Sequence, residues 1–225
     1  MNGLKITALF CTKNEEENLI HILPRIPEWV DEILIIDGHS DDKTVGVAKE
    51  LCPRAKVLQQ FHDGKGEALR YGIEQASGDI VVTLDADGST NPEDMIDFIT
   101  PLKNGYDYAK GSRFLKMIPH KKPLHRIIGN WIITMTFDVL FFRRYTDFCC
   151  GYNAFWKSSI NRVNLVSFSY FADEPLINCR VRKSGLKVIE VACIDEGRIG
   201  GESKSPSWRQ GFGAIKTILR ERFCG

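Results

Sequence analysis

An open α/β fold, with a mainly parallel central sheet flanked by helices, is what this 225-residue sequence predicts. Three observations carry the prediction. Short apolar runs of strand length alternate with helix-length amphipathic segments through the first hundred residues. Two of those runs end on an acidic residue, the position where open sheets of this kind place their ligands. No repeat or low-complexity tract imposes another architecture. The length suits one domain with a sizeable core. With 30 Lys and Arg against 29 Asp and Glu, no bulk field draws the chain to nucleic acid, so any anion site has to be a local cluster.

Taken in order, residues 5–11 form an apolar run, followed by the polar turn Thr12-Lys13-Asn14 and a helix pattern over 15–23. A second run, 32–36, stops at Asp37-Gly38; Ser40-Asp41-Asp42 then offers helix caps for a helix to 52. Strand 55–59, helix 66–76 and strand 79–84 complete the alternation, and a helix over 92–102 and a strand over 106–111 follow. Residues 127–142 are apolar but interrupted by Gly129, Asn130, Thr134, Thr136 and Asp138, which reads as a buried or interfacial helix and not a span. Beyond 150 the pattern gives a strand, a helix over about 173–183 and a strand over 188–193. Residues 208–223 carry Phe212, Ile215, Ile218 and Leu219 on one side, an amphipathic tail that either packs on the domain or lies on a membrane. The division drawn is 1–205 as a catalytic domain and 206–225 as the tail.

Seven cysteines without a CxxC pair or matching histidine spacing read as reduced thiols, which points to a cytoplasmic setting. The first residues lack the basic and apolar regions of a secretory signal. His39 could be a ligand or simply solvated, and the other histidines show no pairing spacing.

Asp85-Ala86-Asp87 follows the run 80–84. Two carboxylates two residues apart at a frayed strand end can turn toward one point and hold Mg²⁺ or Mn²⁺, leaving other positions to water and a substrate diphosphate. Alone, such a pair is more readily a solvated loop; the apolar strand before it and the motifs that follow reverse that in favour of the metal. Asp37-Gly38 also ends a strand, where an acid can accept hydrogen bonds from a base or ribose, although a plain capping loop would look the same. Gly64-Lys65-Gly66 opens a helix, a natural anion site, without the pattern of a P-loop.

These segments, in this order, resemble family 2 glycosyltransferases. The second half sharpens the likeness. Gly111-Ser112-Arg113-Phe114, Arg126 with Asn130 one turn on, Asp147 before Gly151-Tyr152, Phe171-Ala172-Asp173-Glu174 and Arg198-Ile199-Gly200-Gly201-Glu202-Ser203-Lys204 are similar to dolichyl-phosphate mannose synthases and other polyprenyl-phosphate glycosyltransferases. The resemblance spans roughly residues 5–205 and implies a GT-A (nucleotide-diphospho-sugar transferase) fold, inversion at the sugar carbon and a lipid-phosphate acceptor. It implies that Thr12, Asn14, Glu16, Asp37, Gly38 and Lys65 serve the nucleotide and donor, and that Asp85, Ala86 and Asp87 hold the metal and sugar diphosphate. Ser112, Arg113, Arg126, Asn130, Arg198, Ser203 and Lys204 would surround the phosphates, with Arg113 and Arg198 catalytic. Thr134 and Asn130 depart from the pattern: relatives commonly carry an amide and a small hydroxyl there.

The chemistry is self-consistent. Donor diphosphate and acceptor phosphate repel, and a metal with several arginines compensates. A phosphate acceptor, with a second pKa of about 6, needs no general base. The leading expectation is therefore transfer of a hexose, mannose from GDP-mannose or glucose from UDP-glucose, to a polyprenyl phosphate by an enzyme peripheral to the cytoplasmic face of a membrane. One alternative keeps the donor but uses a hydroxyl acceptor, for which Asp173 or Glu174 could be the base. Another is a sugar-nucleotide nucleotidyltransferase, whose glycine-rich loop after the first strand is absent here.

Overall fold

The computed structural model describes residues 3–116, 123–165, 173–201 and 207–224. Seven strands form one sheet in the order β3-β2-β1-β4-β6-β5-β7. In chain order the elements are β1 (Ile6–Thr12), α1 (Glu16–Ile22), β2 (Glu32–Asp37), α2 (Thr44–Leu51), β3 (Lys56–Gln59), α3 (Lys65–Gln75), β4 (Ile80–Asp85), α4 (Met95–Lys103), β5 (Tyr108–Ser112), α5 (Leu124–Phe141), β6 (Asn153–Trp156), α6 (Lys157–Ile160), α7 (Asp173–Lys183), β7 (Val188–Ala192) and α8 (Ser207–Phe223). The mainly parallel sheet predicted from the alternation is present; only β6 runs against its neighbours β4 and β5.

Each central strand is apolar on both faces because helices cover both. Ile6, Ala8 and Phe10 of β1 point into one core with Ile33 and Ile35, beneath α1 and α4. Leu9, Leu34, Ile36 and Val81 point into the other, beneath α3, α5, α7 and α8. Parallel strands also bring their carboxyl ends to one edge. Thr12 pairs with Asp37, and Cys11 with Asp85. Because β6 is reversed, its entry residues Gly151 and Tyr152 arrive at that same edge.

No helix among the described residues is long and apolar enough to cross a membrane. The segment read as a buried or interfacial helix is α5, whose Ile133, Phe137 and Phe141 are buried. The tail helix α8 packs on α5 and α7, burying Ala214 and Ile218. It is clipped there by its buried Glu221, which accepts from Arg180 at 3.0 Å and Lys183 at 3.1 Å.

Candidate active site at the carboxyl edge of the sheet

A cleft of about 950 Å³ opens over this edge. Its lining includes Thr12, Gly38, Lys65 and Asp85 from the strand ends and α3, Arg113, Arg126 and Asn130, and Ile132, Ile133, Trp208, Phe212 and Ile215 from α5 and α8. Strand β4 ends on Asp85, and the chain turns at once through Ala86 to Asp87. Asp85 Oδ1 accepts from Lys65 Nζ at 2.7 Å, and the same ammonium donates to Glu174 Oε1 at 2.5 Å. Lys65 is presented by the first turn of α3, and Gly64 before it sits at φ 108, a left-handed conformation natural to glycine. Gly151 leaves space for the Asp85 carboxylate: a Cβ there would lie 2.6 Å from one of its oxygens.

Asp87 is positioned by a different part of the chain. Its Oδ1 accepts from Ser89 N at 3.0 Å, and Oδ2 lies 3.8 Å from Arg198 Nη1. The loop bearing Arg198 is tied down by Ile199 N donating to Asp87 O and Glu196 N donating to Ser89 O. Asn18 of α1 grips it further, accepting from Gly200 N at 2.8 Å. Arg198 also pairs with Glu15 Oε2 at 2.5 Å. Burial pushes the Glu15 carboxyl above its ordinary pKa, and the Arg198 guanidinium works against that rise.

Arg113 is held hardest. Its Nε and Nη2 donate to the two oxygens of Asp147 at 2.6 and 2.9 Å, a bidentate fork, and Nη1 lies 3.8 Å from Asp195. Asp147 is fully buried, and burial alone would favour its neutral form. The Arg113 charge and hydrogen bonds outweigh that and hold the carboxyl far below the carboxylate range. Beneath it the fully buried Lys110 donates to the backbone oxygens of Asp147 and Gly111. Asn130 is buried at the cleft wall, and its Oδ1 has no hydrogen-bond partner in the structure. A buried polar atom of that kind is costly unless something meets it.

Several residues singled out in the sequence hold the frame. Asn14, at φ 54, accepts from Asp41 N through Oδ1, and Glu16 accepts from Lys43 N, so both brace the loop after β2. Asp37 is buried, accepting from Ser40 N at 3.0 Å, Ser40 Oγ at 2.6 Å and Thr12 Oγ1 at 3.3 Å. The hydroxyl of Ser112 meets Thr146 Oγ1 at 2.5 Å. Thr134 donates to Asn130 O and accepts from Phe148 N, so it joins α5 to the loop before β6. His39 is an exposed loop residue. Ser203 and Lys204 lie outside the described residues, as does the side chain of Asp173. Sequence alone gave no role to Glu15, named Asp147 only within the family likeness, and offered Glu174 only as a base for a hydroxyl acceptor; none of the three was read as the partner of a cation.

Comparison with known proteins agrees with this geometry. A glycosyltransferase of Haloferax volcanii, AglJ, is 32% identical over 83% of this chain and 61% of its own length. The dolichol-phosphate mannosyltransferase of Pyrococcus furiosus is 30% identical over 89% of this chain and 59% of its own length, so the chain spans about three fifths of these two relatives. An uncharacterized glycosyltransferase of Mycobacterium tuberculosis is 34% identical over 97% of both chains. Among solved structures, glucosyl-3-phosphoglycerate synthase of Mycobacterium tuberculosis with Mn²⁺, UDP-glucose and phosphoglyceric acid superposes with a TM-score of 0.76 at 20% identity. That match covers 98% of this chain and 80% of the synthase, and it shows the GT-A fold. The family model for glycosyl transferase family 2 matches residues 7–163. Because that match covers more than half of the chain, including the strand ends that carry Asp37 and Asp85, the chain belongs to glycosyl transferase family 2.

Proposed function

We propose that this protein is an inverting hexosyltransferase. It moves a sugar from a nucleotide-sugar, mannose from GDP-mannose or glucose from UDP-glucose, to a polyprenyl phosphate at the cytoplasmic face of a membrane. The supporting observation is the make-up of one cleft. Its lining combines the Asp85 and Glu174 carboxylates and Lys65 with Arg113, Arg126 and Asn130 and with the apolar Ile132, Ile133, Phe212 and Ile215 of α5 and α8. An acceptor that is an anion at its head and a hydrocarbon behind it matches that combination of cationic and apolar lining. The names of the Pyrococcus relative and of an undecaprenyl-phosphate mannosyltransferase of Micrococcus luteus, 26% identical, point the same way.

The aspartate pair fits a hard dication. Both are oxygen donors, partly exposed, and faced by cations that mark where positive charge is favoured. Among the described residues no third His, Cys, Asp or Glu completes a cluster able to hold a metal ion. A metal at Asp85 and Asp87 would therefore take its remaining ligands from water and the donor diphosphate. Bound there, Mg²⁺ or Mn²⁺ would act as a Lewis acid for the departing nucleoside diphosphate. The chain's own part is to neutralise and orient. Lys65 and Arg198 flank the diphosphate position, while Arg113, braced by Asp147, presents its guanidinium to the second anion. An ionised acceptor phosphate is already a nucleophile and needs no base.

A second reading, with a hydroxyl acceptor, is favoured by one observation: the Glu174 carboxylate lies beside Asp85, shared through Lys65, where a base would serve a hydroxyl. The test for both is incubation of purified protein with labelled nucleotide-sugars and a polyprenyl phosphate, with and without EDTA. A glycolipid formed only with metal is expected. Undiminished turnover in EDTA, or transfer to hydroxyls alone, would overturn the lipid-phosphate reading.

A further inference from the structure

The outer faces of α5 and α8 are not explained by the core, and only at Trp208 and Phe212 by the cleft. On α5, Ile128, Trp131, Met135 and Val139 are 44–66% exposed, and Phe142, which caps the helix, is 81% exposed. The spacing of the four helical residues, three and four apart, places them on one stripe, opposite the buried Ile133 and Phe137. On α8, Trp208, Phe212 and Phe223 are each 70–71% exposed, again on one stripe. The two helices run side by side. A Cβ on Gly211 would lie 3.9 Å from Ile133, and the Arg222 guanidinium stands 5.9 Å from the Phe142 ring centroid. Phe142 itself is in the left-handed region at φ 52, uncommon for so bulky a residue, and its ring is the most exposed large apolar side chain among those described.

Charge decides what could cover this face. Residues 124–144 and 207–223 carry seven Arg and Lys (126, 143, 144, 209, 216, 220 and 222) against Asp138 and Glu221, five net positive charges on a chain whose formal total is +1. The rest of the protein is accordingly at −4. A second copy would bring the same positive charge to the same face and be repelled. A surface that is apolar within and negative at its rim would be attracted.

From this we infer that the paired outer faces of α5 and α8 dock on a bilayer bearing anionic lipid. The aromatic and aliphatic stripes lie among the headgroups, with the basic side chains on the lipid phosphates. Ile132, Trp208 and Phe212 belong to the cleft wall as well, so docking turns the cleft mouth toward the membrane. The inference rests on the lipid-acceptor reading of that cleft and specifies the surface through which it would work.

The test is flotation of the purified full chain with vesicles of phosphatidylcholine, alone or with phosphatidylglycerol admixed. Binding is expected on the anionic vesicles, weaker by about tenfold or more on the neutral ones and reduced by salt. Val139→Glu with Phe142→Glu removes the apolar contact, and Arg144→Glu with Arg220→Glu removes charge without touching the core. Both pairs are expected to lower binding by about tenfold or more, with circular dichroism unchanged. A wild-type chain that ignores anionic vesicles, or variants that bind as well as wild type, would overturn the inference. So would a stable dimer that Val139→Glu with Phe142→Glu splits, since that would assign the face to a second copy. Transfer to a short-chain, water-soluble polyprenyl phosphate separates the two claims. If it persists without vesicle binding, the docking surface is wrong and the function stands; vesicle binding without any such transfer means the reverse.

Discussion

Gly151→Ala isolates the position of one carboxylate. Gly151 has no left-handed φ, so alanine meets no backbone objection. The obstacle is contact: the new Cβ would stand 2.6 and 2.7 Å from the Asp85 oxygens and 2.9 Å from its Cγ. The backbone cannot easily retreat, because Gly151 O accepts from Thr83 Oγ1 at 3.0 Å. The carboxylate must therefore swing away from Lys65. An off-rotamer side chain costs about 0.5–1.5 kcal/mol, and removing a glycine from the unfolded chain returns about 0.4–1 kcal/mol. The melting temperature should then move by no more than about 2–4 °C. Activity should suffer far more, since a displacement of about 1 Å at a reacting centre costs about a hundredfold. Steady-state kcat/KM at saturating metal, beside a thermal melt, reads both. Gly46→Ala is the control, because nothing lies within 4 Å of a Cβ in the interior of α2; it should stabilise by about 0.5–1 kcal/mol and leave turnover alone. Wild-type kcat/KM for Gly151→Ala would refute the placement of Asp85 in the reaction.

Asp147→Asn leaves the Arg113 charge buried without its partner and should cost about 3–5 kcal/mol at neutral pH. Because the folded-state carboxyl is held below its unfolded value, its contribution is complete above about pH 4 and is lost as pH falls through and below that range. Urea melts at neutral and acid pH should therefore show the gap to wild type narrowing in acid; a constant gap would contradict the assignment. Gly72→Ala drives a Cβ to 2.4 Å from Leu9 Cδ1 between α3 and the sheet. Denaturant unfolding should register a loss of about 1–3 kcal/mol from overpacking, with activity per folded molecule unchanged, and a rise in stability would count against the packing described. Arg198→Ala should lower kcat by about a hundred- to a thousandfold if it steadies developing charge. Arg198→Lys should recover little, since one ammonium cannot reproduce the separate contacts that Nε makes to Gly200 O and Nη2 to Glu15; full activity in either variant would remove Arg198 from the site.

Much of the scaffold was legible before any coordinates. The run 80–84 ending at Asp85, the run 32–36 ending at Asp37 and the lysine between glycines at 64–66 each announce an element and its end, because strand alternation and glycine turns are set by near neighbours. A parallel sheet then implies one shared edge, which is why two strand-end acids could be brought to one place on paper. The amphipathic spacing of 208–223 likewise announced a helix, though whether its apolar side met protein or lipid was open.

What remained hidden involves residues far apart in the chain. The reversal of β6 brings Gly151 against Asp85, yet residues 153–156 read the same for a strand in either direction. Glu15 and Arg198, 183 positions apart, meet only because Asn18 and the turn at Ser89 hold the same loop. Glu174 reaches Lys65 only once α7 lies beside α3. Local propensity and turn chemistry were thus determined by the sequence alone. The partner of each charge, and which helix face stayed outside, were decided by the tertiary structure, because an ion pair depends on distance in space and not on separation along the chain.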